Sequence, residues 1–495
     1  MRRRSRQLAV SAAFAFAWSA SPVLAAGGTT TLRDGVTARA QELLVHPRGG
    51  DLQKVVLRDG VDPEAVAQEL REHPELFESA GVNLIARAAA QPAGAAQTSP
   101  TPDAPPVVSP TDIPAEMLVP QTLLTGWIPN DAVGDVPWTG LQWNFAGPWG
   151  VNAPKAWDQL RARGAAKSGG RRVKIAVVDS GIAYRTSGPY RQSPDLPRTR
   201  ILPGYDFVDE DRYPDDRSGH GTHVASTIAG ATDNAAGLTG LAYEADIIPV
   251  RVLDADDEGD TLAIARGIKY AVRRKADIIN LSADFPSSVR ASEIPEVMAA
   301  VEEAHRKGVL VISSSGNDGA GQVSLPARSP AVLAVGATTA HGCRAVFSNA
   351  GSDLDLVAPG GGADHASDTS PRCRPTEQGA PIAQVTLLRA GDPSTLGVPL
   401  NYVGTSMAAA HVTGIAALVA GSGLLGKHPS ADLLAAYLVR STRDLGQKGA
   451  DSRFGAGLID AQQATNAKRA KSAARGARRA VAKAARVQTG GLPVR

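Results

Sequence analysis

The 495 residues predict an α/β protein built on a mostly parallel sheet covered by helices on both faces, preceded by a smaller α/β unit. Three observations lead there. Continuous apolar runs alternate with stretches of helical period, as in parallel strands buried on both faces by their crossover helices. Hydrophobic residues make up 43% of the chain but aromatics only 4%, and Gly and Ala abound, so the core is assembled from close-packed small and aliphatic side chains. The length also exceeds what one compact domain uses without appendages.

Met-Arg-Arg-Arg-Ser-Arg and the apolar run Leu8–Leu24, ending in Ala25 and Ala26, read as a cleaved secretory signal over residues 1–26. The run is short for a membrane span and is interrupted by Ser11, Ser19, Ser21 and Pro22. An extracellular or periplasmic protein is expected. Val55–Arg58 reads as a short strand, and the segment after Asp62, with Pro63 in first position, as a capped helix. They place a small α/β unit up to about Ala88, followed by a Pro/Ala/Ser/Thr-rich linker from Ala89 to Pro120.

From Arg172 onward VKIAVVD, ADIIPVRVL, ADIINLS, GVLVISSS and AVLAVGAT read as buried strands, and TLAIARGIKYAVRR and PEVMAAVEEAHRKG as helices. Residues 466–495 form a tail rich in Ala, Lys and Arg, without acids from Lys468 onward. It reads as a solvated extension, with a basic helix on an anionic surface as the alternative. The net charge of +3 is too small to suggest a nucleic-acid partner for the whole chain. In an exported protein the two cysteines, Cys343 and Cys373, suggest one disulfide, with two free thiols as the alternative.

In parallel α/β folds chemistry gathers at the carboxyl ends of the strands. Asp179 ends VKIAVVD and precedes Ser-Gly, His220 opens GHGTHVASTIAG, and Ser406 opens TSMAAAHVTGIAALVAG. Singly, a turn Asp, a helix-terminal His and a capping Ser account for them. Jointly they are what a serine nucleophile needs: a base to take its proton, and a carboxylate to fix that base's tautomer. His223 and His411 lack an accompanying carboxylate pattern and read as structural.

VVDSGI, HGTHVAS, SSSGNDG, FSNAGSDLDLVAPG and GTSMAAAHVTG resemble the subtilisin-like serine peptidases in sequence and order, from about Trp149 to Ala464. The resemblance implies a three-layer α/β/α subtilisin-like catalytic domain over residues 121–465. It implies a secreted serine endopeptidase that works through an acyl-enzyme, with Ser406 as nucleophile, His220 as base and then acid, and Asp179 as orienting carboxylate. Asn317 would supply the oxyanion-hole side chain. Residues 27–120 would be a pro-region that inhibits its own enzyme. Protein or peptide substrates would add as a strand between Asp257-Glu258-Gly259 and Ser282-Ala283-Asp284.

The acids Asp254, Asp256, Asp257, Glu258 and Asp260 on the first edge, with Asp284 and Asp318, suggest a preference for basic substrate residues, a solvated acidic loop being the alternative. No cofactor is expected for catalysis. Structural calcium is expected in YDFVDEDRYPDD, with Asp206, Asp209, Asp211 and Asp215 as ligands, or else a loop of solvated acids. A monomer is expected, with no nucleic acid bound by the catalytic domain. Three departures from the family stand out: Ala410 in place of Pro, NLSADF in place of SLGG at one cleft wall, and an insertion from about Ala363 to Leu400. A catalytically silent peptide-binding protein is the competing class.

Overall fold

The computed structural model describes residues 29–88 except 34, 59 and 60, residue 113, residues 117–472 except 165–167, and residue 475. The expected signal segment, most of the expected linker and most of the basic tail lie outside the described residues.

The N-terminal unit runs β1 (Thr29–Arg33), β2 (Val36–Pro47), β3 (Gln53–Val56), α1 (Pro63–Arg71) and β4 (Phe77–Ala88). All its pairings are antiparallel: β2 takes β1 along its first half, β3 along its second, and β4 on the other edge. Asp62 accepts a hydrogen bond from the Glu64 N–H at 3.0 Å, and Pro63 starts the helix where no donor is lost. The long strands β2 and β4 escape a reading by periodicity, because polar and apolar residues do not alternate cleanly along them.

The first long elements of the larger body are α2 (Ala153–Arg161) and β5 (Lys174–Asp179). It continues through β6 (Tyr205–Asp206), α3 (His220–Ala229), β7 (Asp246–Arg251), β8 (Glu258–Asp260) and α4 (Thr261–Arg273). Then come β9 (Ile278–Leu281), β10 (Ala283–Asp284), α5 (Pro295–Arg306), β11 (Leu310–Ser314), β12 (Val332–Thr338) and β13 (Leu356–Pro359). The chain closes with the hairpin β14 (Thr386–Leu387) and β15 (Leu396–Gly397), α6 (Thr405–Ser422), α7 (Ala431–Val439), β16 (Thr442–Arg443), β17 (Leu458–Ile459) and α8 (Ala461–Thr465).

Nine strands form the central sheet in the order β16-β17-β13-β12-β11-β9-β5-β7-β6, parallel throughout except where β16 meets β17. Along β5 the pleat sends alternate side chains to opposite faces. Ile175 and Val177 join α2, α3 and α6, whereas Ala176 and Val178 join α4 and α5. The two hydrophobic layers thus cover the two faces of the sheet, as the unbroken apolar strands require. The N-terminal unit packs on the α4/α5 layer, tied by Ser79 Oγ donating to Glu296 at 2.6 Å and by the Arg33–Glu293 ion pair at 2.7 Å.

The strand order reverses at β5, since β7 lies on one side of it and β9, the next long strand, on the other. A crevice therefore opens at the carboxyl end of β5. Helix α6 is apolar all round and sits in the core against β9, β11, β12 and α3. Among the described residues it alone is long and apolar enough to cross a membrane, and 89% of that stretch is buried inside the fold.

Cys343 and Cys373 form the disulfide, with Cα atoms 5.9 Å apart, at the start of the inserted segment. Farther along the insertion, the β14/β15 hairpin braces the entry to α3. Thr386 Oγ1 donates to the Gly219 carbonyl, and the Gly391 N–H donates to the Arg217 carbonyl at 2.6 Å.

Candidate active site

Asp179 is the last residue of β5, at the point where the strand order reverses, and its carboxylate faces the start of α3. His220 Nδ1 lies 2.7 Å from Asp179 Oδ1, and both side chains are fully buried. The same oxygen accepts the Ser180 N–H at 2.7 Å. His220 Nε2 has no hydrogen-bond partner.

Two glycines let this pair form. Gly219 caps α3 at φ 103°, a left-handed conformation that side chains disfavour. A Cβ on Gly221 would lie 2.1 Å from the Gly181 carbonyl, so only glycine lets the helix approach the turn after Asp179. Asp216 pins the entry, accepting from the N–H groups of Ser218, Gly219 and Thr222 and from Ser180 Oγ. The sequence reading passed over Asp216 because it stands in a run of acids whose members look alike until the chain folds.

Ser406 is in the first turn of α6, where the capping position belongs to Gly404. Its Oγ donates to the Ser282 carbonyl at a long 3.5 Å. Asn317 follows β11 through Ser315 and Gly316, and its Oδ1 accepts from Thr405 N–H at 3.0 Å and Thr405 Oγ1 at 2.8 Å. That fixes which end of the amide remains for other partners: Nδ2. Asn349 holds the loop in turn, its Oδ1 accepting from the N–H groups of Asp318 and Ala320. Thr405 and Asn349 lie within GTSMAAAHVTG and FSNAGSDLDLVAPG, but their roles show only through tertiary contact.

Burial disfavours the charged form of His220, but the carboxylates of Asp179, Asp257 and Asp216 outweigh it and push the pKa up to about 9. Burial raises Asp257 to about 7. His223 and His411 are buried and held neutral, with pKa values lowered by burial to about 3 and about 4. His223 Nε2 meets the Ile382 carbonyl at 2.9 Å, and His411 lies between Met407 O and Asn144. Both histidines are structural.

The two segments expected to edge a cleft both pair with one strand of the N-terminal unit. β4 of the N-terminal unit lies between β8 and β10, antiparallel to both, with Arg87 opposite both Glu258 and Asp284, Ala86 opposite Gly259 and Ala88 opposite Ala283. The Ala88 N–H donates to the Asp257 carbonyl at 2.9 Å, and Arg87 pairs with Glu258 at 2.8 Å. Extended backbone added between two edges is the geometry of peptide capture by strand addition.

The predicted calcium ligands do not fit a cation site. Asp206 pairs with Arg251 at 2.7 Å, Asp209 with Arg217 at 2.6 Å and Arg251 at 3.0 Å, and Asp215 with Arg185. Asp211 caps its own turn, accepting the Tyr213 N–H at 2.7 Å. Guanidinium groups supply the positive charge that the sequence reading assigned to calcium. Among the described residues, the one trio of potential ligand atoms within 4.8 Å is Cys343, Asp364 and Cys373, whose sulfurs are spent in the disulfide.

A second pair of acids is buried elsewhere in the fold. Asp131 and Asp195 are buried near each other, and burial, reinforced by Asp131, pushes Asp195 up to about 8. Asp195 Oδ2 accepts the Leu238 N–H at 2.9 Å, whereas Oδ1 has no partner. Asp131 accepts from the N–H groups of Asp233 and Asn234. These residues come from distant segments, so no local motif marked them.

The subtilase family model matches residues 170–457. Subtilisin Savinase of Lederbergia lenta is 36% identical over 320 residues, covering 64% of this chain and 98% of the relative. M-protease of Shouchella clausii (strain KSM-K16) is 36% identical over 320 residues, covering 64% of this chain and 70% of that protein. Among solved structures, a protease from Pseudoalteromonas arctica PAMC 21717 superposes with a TM-score of 0.54 at 28% identity, covering 68% of this chain and 99% of that one. The chain therefore belongs to the subtilase family and is a subtilisin-like serine endopeptidase.

Proposed function

We propose that the chain is exported as a zymogen and hydrolyses peptide bonds through an acyl-enzyme carried by Asp179, His220 and Ser406. The observation that carries the reading is the buried His220–Asp179 pair at 2.7 Å, with the opposite ring nitrogen, Nε2, unpartnered. Asp179 holds the proton on Nδ1 and stabilises the imidazolium, so Nε2 can take the Ser406 proton as Oγ attacks the substrate carbonyl. The imidazolium then protonates the leaving amine, and a water activated by the same nitrogen releases the acyl group. Asn317 Nδ2 and the Ser406 backbone N–H stabilise the oxyanion. Losing one such donor costs about 10²–10³ in rate, a magnitude measured on subtilisin itself.

Residues 27–120 act as the inhibitory pro-region, their last described strand lying where a substrate strand would lie. The Arg87–Glu258 pair supports a cleft that welcomes basic residues. A structural cation such as calcium is held by Asp195, with Asp131 beside it, and takes no part in catalysis. The long Ser406–Ser282 contact favours a second reading, a silent peptide-binding protein.

Incubating the secreted protein and its Ser406→Ala variant with a mixed peptide library, read by mass spectrometry, separates the two readings. Cleavage by the parent alone supports the peptidase. Cleavage by neither, with loss of residues 27–120 verified, supports the binder.

A further inference from the structure

One polar group at the cleft is left unexplained by the peptidase reading. Asp284, on β10, stands two residues after Ser282, whose carbonyl receives Ser406 Oγ. Its Oδ1 is shut off from solvent and has no hydrogen-bond partner. The hydroxyl of Ser314, the last residue of β11, faces the carboxyl, and Asp318, just past Asn317, adds a second negative charge. Ser314 Oγ is itself buried without a well-formed hydrogen bond. The Asp284 carboxyl thus faces the 314–318 segment from the 282–284 edge, the edge whose Ser282 carbonyl receives Ser406 Oγ. A buried carboxylate with a free oxygen is costly unless a cation or donor meets it.

The strand ladder shows which substrate group enters the gap between that edge and that segment. Arg87 of β4 lies opposite Asp284 and Ala88 opposite Ala283, so a peptide in this register presents its next residue opposite Ser282. That residue contributes the carbonyl nearest Ser406 Oγ, and its side chain starts at the mouth of the gap. An aliphatic side chain there would leave Asp284 Oδ1 and Ser314 Oγ unsatisfied, the arrangement that discriminates hardest against the wrong substrate.

Resting on the peptidase reading above, we propose that Asp284 is the specificity-determining residue of the primary pocket and selects Arg or Lys as the residue whose carbonyl is attacked. A guanidinium or ammonium entering the gap supplies charge-assisted donors to Oδ1 and a favourable field from Asp318. Glu258 reads a basic residue farther upstream, as it does Arg87.

The test measures kcat/KM for matched peptides Ala-Ala-X carrying a chromogenic amide leaving group, with X as Arg, Lys, Leu or Glu. The enzyme is the mature protein purified after expression of the full chain. The parent is expected to favour Arg and Lys over Leu by roughly 10- to 100-fold. Asp284→Asn should bring the Arg/Leu ratio near unity, and Asp284→Glu should restore a preference for Lys. The ratio does not depend on how much of a variant folds, because misfolded molecules contribute to neither rate. A parent that prefers Leu, or an Arg/Leu ratio unchanged in Asp284→Asn, overturns the assignment while the peptidase reading stands. Absence of cleavage of any peptide, with Ser406 unlabelled by a sulfonyl fluoride, overturns the peptidase reading and this inference with it.

Discussion

Arg87 and Glu258 close an ion pair at 2.8 Å that joins the strand filling the cleft to the strand lining it. The Arg87 side chain is 64% exposed, so solvent screens the pair and its contribution is about 1 kcal/mol at most. Backbone bonds such as Ala88 N–H to the Asp257 carbonyl hold the strand more firmly.

Arg87→Ala is therefore expected to shorten the lag before full-length protein becomes active by less than about fivefold. Ala88→Pro, which deletes the donor to Asp257 and breaks the ladder, should shorten it about tenfold or more. Time courses of peptide hydrolysis decide, and equal lags in the two variants would refute the ranking.

The field around His220 sets the pH profile. In the proposed mechanism a neutral imidazole takes the proton, and the neighbouring carboxylates hold His220 protonated above its ordinary 6.5, toward about 9. Activity should thus rise with pH along a limb well above 6.5. Asp257→Asn removes one carboxylate, destabilises the imidazolium and moves that limb to lower pH, most visibly above about 7, where Asp257 is ionised. The same raised value contributes stability below pH 6.5 that is lost as pH climbs through about 9. A kcat/KM profile of parent and variant, with superimposable limbs as the adverse result, tests the sign.

Thr405 is a positioning residue for the Asn317 amide, donating to its Oδ1 from both backbone and hydroxyl. Thr405→Val keeps the shape and removes one donor, worth about 1 kcal/mol, or about fivefold. With Asn317 in the proposed oxyanion role, acting on the transition state, the loss should fall on kcat with KM nearly unchanged. A change confined to KM would point instead to altered substrate binding.

A cation held by Asp195 would make stability depend on that cation and on pH together. Chelation should lower the melting temperature of the parent by several degrees and leave that of Asp195→Asn unmoved. In chelated protein the raised pKa means stability is highest below the ordinary carboxylate value of 3.8 and declines as pH rises through about 8. Asp209→Asn should not change the response to chelator, because arginines neutralise that loop. Calorimetry across that pH range, with and without chelator, provides the check.

Sequence alone determined the layered fold of the larger body and singled out Asp179, His220 and Ser406 as its candidate chemical residues. Apolar runs from VKIAVVD to AVLAVGAT carry their burial on both faces in their composition, and Gly219 and Gly221 record the backbone approaches that α3 requires. Tertiary structure decided what no local pattern encodes. Arg251 and Arg185 reach the acidic loop from elsewhere in the chain and Arg217 folds back from its end, so only folding showed that its charges are met by guanidinium groups. Asp131 and Asp195 meet through segments 64 residues apart, counting from 131 to 195. The final residues of β4 carry no legible strand pattern, and only the register set them between β8 and β10. The physical reason is common to all three: hydrophobic periodicity is written along the chain, whereas the partner of a charge or a strand edge is fixed by packing in three dimensions.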